Sequence, residues 1–365
     1  MSNAKLSFLG ILAAASIVAA VFVSKVSNRT RPAAIGTGYL VQGLNPENVA
    51  EILIGKGKEP IDLKKVNGEF VVVNKDSYPA ENKGINNLIA TLLDMQTIQL
   101  YTANKANFKD LGVTEDDATN IVKFLDDNGK TITGVVVGKM RDDGMSYARL
   151  VNSDEVYTVD KTPWVKSSAI EYTNQELLTI NKADIASVTV SSPNDTYTIV
   201  SDANGTEVTL KYVPFGKKQK SGDCRQVLEA VDNLKFDDVA SAEKKSGLKF
   251  DRKYECLLKD SSLYTFEIAK SGSKTYIKCS ADFTDKTPIK KEQEVESQGE
   301  LKKKETKLIA RDKVKKFQET CGGWVYQIAE YKAGNLTKPL KELVEDITPS
   351  KPADANTPAE QKPNT

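Results

Sequence analysis

From Leu6 to Ser24 the chain reads LSFLGILAAASIVAAVFVS, with no charged residue, Asn, Gln or Pro. A helix of about eighteen residues spans roughly 27 Å, close to a bilayer core of ~30 Å. Lys5 precedes the run, and Lys25, Arg29 and Arg31 follow it. The run exceeds a usual secretory-signal core. Cutting at its weak small-x-small site, Val18 and Ala20, would fall inside the apolar stretch. An uncleaved transmembrane anchor over 6–24 is therefore preferred to a removed signal, with 1–5 as a short tail and 25–48 as linker. The charges after the run oppose export of the body, whereas the very short tail and the leading role of a first helix favour it. The expectation is a body outside the cytoplasm, on a single-pass anchor in a bacterial inner membrane.

Beyond the linker the pattern changes to short alternating segments. Val49 to Ile54 reads as a strand, and Ile61 to Val66 and Glu69 to Val73 follow, joined by Asn67-Gly68. That dipeptide tolerates the positive φ that a type I′ hairpin turn needs at both positions. Tyr78-Pro79-Ala80 ends the segment. Apolar residues at three- and four-residue spacing through Asn86, Ile89, Leu92, Leu93 and Met95 then predict a helix. After a turn at Asn107 to Val113 come strands at 120–125, 131–137, 146–150 and 156–159. Trp164-Val165 and IEYTNQELL (Ile170 to Leu178) close the unit.

The same order returns from Asp184. Strands are predicted at 185–190, 196–200 and 207–212, a helix at Cys224 to Leu234, and strands at 254–258, 264–268 and 275–279. Trp324-Val325 and IAEYKAGNL (Ile328 to Leu336) repeat the earlier ending, which points to an internal duplication. The expected fold class is α+β: two tandem related units, 49–182 and 183–345, each a largely antiparallel sheet with one or two packed helices. The second carries an insertion at 284–316, dense in Lys and Glu, read as a solvated helix or flexible excursion. Residues 346–365, rich in Pro, Ala, Asn, Thr and Lys, are read as a disordered tail.

Composition narrows the chemistry. There is no histidine among 365 residues, which excludes Ser–His–Asp and Cys–His nucleophilic systems and histidine-based zinc sites. A net charge of +1 gives no overall field to recruit nucleic acid, and no basic patch with stacking aromatics stands out. Cys224, Cys256, Cys279 and Cys321 are spaced by 32, 23 and 42 residues, unlike any CxxC motif. An exported chain permits two disulfides in three connectivities; buried free thiols are an equal reading.

Several short patterns have bland explanations. Gly134-Val-Val-Val-Gly138-Lys139 lacks phosphate-loop spacing, and its β-branched residues belong in a strand. Gly55-Lys56-Gly57-Lys58 is a turn with no helix after it. The doublets Asp116-Asp117, Asp126-Asp127, Asp142-Asp143 and Asp237-Asp238 fit turn chemistry better than calcium or acid–base sites. Trp164 and Trp324, recurring at matching places, are expected to pack. No catalytic, cofactor-binding or metal-binding residue is assigned.

Tyr78-Pro79-Ala80 and its helix, Thr102 to Val113 (TANKANFKDLGV), the strand ending VVVGK, Tyr147-Ala148-Arg149 and Val156-Tyr157 together resemble the bacterial family "domain of unknown function 4340". The likeness is best over Val49 to Ile180. It implies a membrane-anchored envelope protein, often associated with a gliding-motility-type ABC transport system, and carries over no catalytic residue. The expected function is a non-catalytic accessory protein that binds ABC transporter subunits or another envelope component. The alternative is a solute- or glycan-binding module using a cleft between its two units.

Overall fold

The computed structural model describes residues 38–287 and 298–347. The expected anchor over 6–24, the tail 1–5, the linker up to residue 37, insertion residues 288–297 and residues 348–365 lie outside the described residues. Among the described residues, no helix is long and apolar enough to cross a membrane.

In chain order the elements begin with strands β1 (Gly38–Tyr39), β2 (Glu51–Ile54), β3 (Ile61–Val66), β4 (Glu69–Val72) and β5 (Tyr78–Pro79), then helix α1 (Asn82–Leu93). Strand β6 (Gln96–Thr102) and the one-turn helix α2 (Phe108–Leu111) precede β7 (Asn120–Leu125), β8 (Thr131–Met140), β9 (Ser146–Leu150) and β10 (Val156–Val159). Next are β11 (Glu176–Leu178), β12 (Ile185–Ser191), β13 (Thr196–Ser201), β14 (Val208–Leu210), β15 (Lys217–Gln219) and α3 (Ser221–Leu228). Strands β16 (Leu234–Lys235), β17 (Asp238–Ser241), β18 (Arg252–Leu258), β19 (Ser262–Ser271) and β20 (Lys274–Phe283) follow. The described chain finishes with α4 (Gln298–Cys321), β21 (Trp324–Ile328), α5 (Glu330–Leu336) and β22 (Val344–Asp346). The class is α+β, with antiparallel sheets.

Local signals explain many of these elements. Asn67 and Gly68 take φ of 52° and 87°, the paired positive values of a type I′ turn, and Val66 faces Glu69 across it. Helix α1 buries Ile85, Leu88, Ile89 and Leu92, one stripe at three- and four-residue spacing. Helix α4 occupies much of the charged insertion and runs past its expected end at 316. It buries only Ala310, Val314 and Cys321, as a largely solvated helix does.

The chain divides into two compact units, one from the described parts of Met1–Pro60 and Lys83–Val165, the other from Ile61–Asn82 and Lys166–Thr365. This differs from the tandem division at 182/183. Residues 61–82 and 166–182 group with the second unit, and Tyr78 from the first stretch and Leu177 and Ile180 from the second are buried in that unit's core.

In the first unit the strand order is β1-β6-β10-β9-β8-β7-β2. In the second it is β14-β13-β12-β18-β19-β20-β21-β17. The stretch β6-β10-β9-β8-β7-β2 matches β17-β21-β20-β19-β18-β12 rank by rank, and α1 follows β2 as α3 follows β12. One plan is present twice, but the tryptophans do not mark it. Trp324 sits in β21, whose counterpart is β10, whereas Trp164 comes after β10 and is 89% exposed. The packing role expected for Trp164 is thereby corrected.

Gly138 of β8 illustrates how closely the first unit packs. A Cβ there would overlap the Leu111 carbonyl oxygen and would meet Val113 Cγ1 at 2.6 Å. Gly138→Ala is expected to destabilise the protein by about 1–3 kcal/mol, through overpacking against backbone that cannot yield. Gly222→Ala, where nothing lies within 4 Å, should shift stability little. Urea denaturation midpoints of the two variants check the contrast.

Candidate functional site

The short motifs scattered along the first unit meet in space. Phe108 and Leu111 are buried on α2, and Gly112 ends the helix at φ 67°, so the Val113 N–H reaches the Phe108 carbonyl at 2.8 Å. Arg149, brought in by β9 and only 8% exposed, donates from Nε to the Val113 carbonyl at 2.8 Å. Its Nη1 donates to the carbonyls of Leu150 and Val151 at 3.0 and 3.1 Å. The guanidinium lies 4.9 Å from the Phe108 ring centroid. Burial pulls its pKa below the usual arginine range, against the opposing charges of Glu115 and Asp154. Arg149 therefore staples the turn after α2 to the edge of β9. Its hydrogen bonds end on carbonyls, which is a structural use of a buried cation.

Gly134 and Gly138 carry no phosphate site. Both lie within β8, and a Cβ on Gly134 would meet the Val122 carbonyl oxygen at 2.8 Å. Gly55 and Gly57 take positive φ in a turn, and Lys56 Nζ donates to the Ala118 carbonyl at 3.2 Å. The first three acidic doublets do local work, whereas Asp238, expected in a turn, lies in β17 and pairs with the distant Lys75. Asp126 Oδ1 accepts from the Asn128 and Lys130 N–H groups, Asp143 Oδ1 accepts from Met145 N–H, and Asp117 accepts from the Thr114 hydroxyl. Among the described residues no group of three or more Cys, Asp or Glu is placed to hold a metal ion.

In the second unit, Tyr78 meets Trp324, Phe236 and Tyr326 edge-on, with ring centroids 4.9, 5.7 and 6.1 Å apart. The loop just before Tyr78 is clamped. Lys75 pairs with Asp238 at 2.7 Å, and the Asp76 carboxylate accepts from Ser241 N–H at 2.8 Å and pairs with Lys244. Asp76 and Ser77 hold φ of 57° and 62°, a conformation that non-glycine residues avoid. Burial favours the neutral Asp76 acid, but Lys244 and the Ser241 N–H outweigh it and hold the carboxyl below its ordinary range. Beside this cluster lie the Cys279 and Cys321 thiols, each close enough to influence Tyr78 and Tyr326.

Two open grooves mark the second unit's surface. The larger, about 520 Å³, is lined by Lys259, Lys302, Lys303 and Lys307 with Asp260 and Asp285. Lys307 is paired with Asp285 at 2.6 Å, and Lys259 donates to the Ala183 and Ala203 carbonyls. Much of its charge is already engaged. The smaller, about 380 Å³, sets Glu81 and Glu171 against Lys166 and Lys235.

Among the described residues, the large hydrophobic side chain with the greatest exposure, Phe215, lies in the turn between β14 and β15. Phe215 is 106% exposed and Tyr212 78%, with Val213 exposed beside them. Lys217 and Lys218 pair with Asp346 and Glu345 at 2.7 and 3.1 Å, which fixes the base of the turn. The strand expected over 207–212 ends at Leu210, which leaves Tyr212 in the turn. The meeting of Cys279 with Cys321, and of Asp76 with Lys244, left no local signal.

The described residues thus define an α+β protein in which one strand order recurs and whose clustered motif residues serve packing. A family model described as "Domain of unknown function (DUF4340)" matches residues 71–253, half of the chain. The chain belongs to that family. No curated protein and no solved structure matches the chain.

Arg149→Met is expected to cost about 2–4 kcal/mol, because buried carbonyls lose their donor, and Arg149→Lys should recover little of it since an ammonium lacks the planar fork. Urea denaturation measures both. A depressed folded-state pKa means that Asp76 stabilises the fold above its unfolded pKa, and that this stability is lost as pH falls through the folded value. Asp76→Asn should therefore lower the urea midpoint at neutral pH, and its deficit against wild type should shrink towards about pH 3.

Proposed function

We propose that this protein is a non-catalytic, membrane-anchored envelope protein acting through protein–protein contact, as an accessory component of an ABC-type, gliding-motility-like transport system. The apolar run at 6–24 supports a single-pass anchor in a bacterial inner membrane, with the body on the periplasmic or exterior side. The one observation that favours a contact role for the body is the exposed Tyr212-Val213-Pro214-Phe215 tip. Aromatic side chains bury large areas at little entropic cost, and they dominate the energetic centres of protein interfaces. A fully exposed Phe gains nothing for the isolated fold, so its worth lies in what covers it. The anchored partner of this reading is a transporter subunit in the same membrane.

The test is affinity capture from detergent-solubilised membranes. The wild-type chain should recover ABC transporter subunits, and Tyr212→Ala with Phe215→Ala should reduce that recovery by about tenfold or more, with thermal stability unchanged. Wild-type capture without any transporter subunit, or capture indifferent to the double substitution, would overturn the reading.

A further inference from the structure

Helix α4 lays one stripe along β20. Ala310, Val314, Phe317 and Cys321 recur at spacings of four, three and four, and Cys279, Ala281 and Phe283 alternate on the strand. Phe283 packs with Ala310 and Val314 at one end. Further along, Gln318 Oε1 accepts from the Ala281 N–H at 3.0 Å. One helical turn beyond Gln318 is Cys321, and two residues back along the strand is Cys279, so the two thiols face each other where the helix ends. Both belong to the second unit's core, Cys279 6% and Cys321 3% exposed, and each thiol shifts the other's ionisation.

A third group completes the arrangement. Tyr326 stands opposite Ile277 in the β20–β21 pairing, on the strand face that Cys279 shares. Its hydroxyl is buried without a hydrogen-bond partner. An ionised Cys321 would give that hydroxyl an acceptor. Hydrogen bonding from Cys279 pulls the Cys321 thiol pKa down, burial opposes this, and Tyr326 adds to the lowering. Burial pushes Cys279 up, and Cys321 adds to the rise. Cys224 and Cys256 differ: each is wholly buried, and no other thiol contributes to its ionisation.

We propose that Cys279 and Cys321 are a disulfide-forming pair, joined by exchange with a small or protein disulfide donor, while Cys224 and Cys256 remain thiols. The Cys321 thiolate attacks one sulfur of the donor, forming a mixed disulfide and expelling one donor thiolate. That thiolate takes the Cys279 proton, and the Cys279 sulfur attacks the Cys321 sulfur. The second donor thiolate leaves and picks up the proton that Cys321 released. The donor is reduced to two thiols and the protein pair is oxidised. The bond closes the loop that carries the charged insertion and fixes the end of α4 on β20, restricting the unfolded chain. This inference stands independently of the transporter reading.

The test treats the full chain with oxidised glutathione, both as native protein and during refolding from urea, followed by alkylation in denaturant and non-reducing peptide mapping. The expected result is one linked pair of peptides, carrying Cys279 and Cys321, with Cys224 and Cys256 alkylated. The link should persist in Cys224→Ser with Cys256→Ser, and it should vanish in Cys321→Ser. Four alkylated cysteines under both treatments, or a dominant link through Cys224 or Cys256, would overturn the proposal.

Discussion

Tyr78 is the residue on which the second unit's composition depends. Its ring fills the space between Trp324, Phe236 and Tyr326, three side chains delivered by elements far away in the chain. A buried aromatic contributes a large apolar area, so the segment that carries it must go where its ring goes. That segment is the hairpin Ile61–Asn82, which sequence order would assign to the first copy. The ion pairs of Lys75 and Asp76 with Asp238 and Lys244 then satisfy the polar groups that arrive with the ring. Two adjacent residues held at positive φ complete the approach, a local cost set against the surrounding contacts.

The same strand order serves two different ends. In the first unit a buried arginine holds a one-turn helix against the sheet, and glycines at positions 134 and 138 let neighbouring backbone come close. In the second, the strand counterpart of β9 is β20, which bears Cys279 and packs against a long charged helix that ends at Cys321. The two units share a strand order, and the side chains placed on it differ. The family model runs over residues 71–253 and so crosses the point where the repeat begins again.

For function, the arrangement of these residues bears more weight than their identity. The motif residues most characteristic of the resemblance are engaged in packing, three acidic doublets in turns, and Asp238 in an ion pair with Lys75. Among the described residues the aromatic tip at Tyr212 to Phe215 stands exposed, with two lysine–carboxylate pairs at its base. An exposed aromatic turn is the property the transporter-accessory proposal uses.

Wherever the physics was local, the chain's own pattern was enough. Asn67-Gly68 specified its turn through φ, Ile89 and Leu92 helped specify a helix through spacing, and β7, β9 and β10 were bounded as their alternation predicted. Strands such as β6, polar and half exposed, carry no such period and were invisible until a partner strand paired with them. The repeat was legible but was anchored on Trp164 and Trp324, which occupy different places, because similar dipeptides need not share a strand. Which unit holds the hairpin, which thiols meet, and what Arg149 and Asp76 touch were decided only by the tertiary structure. Each depends on a contact between residues distant in sequence, and a contact of that kind leaves no trace in the spacing of either partner.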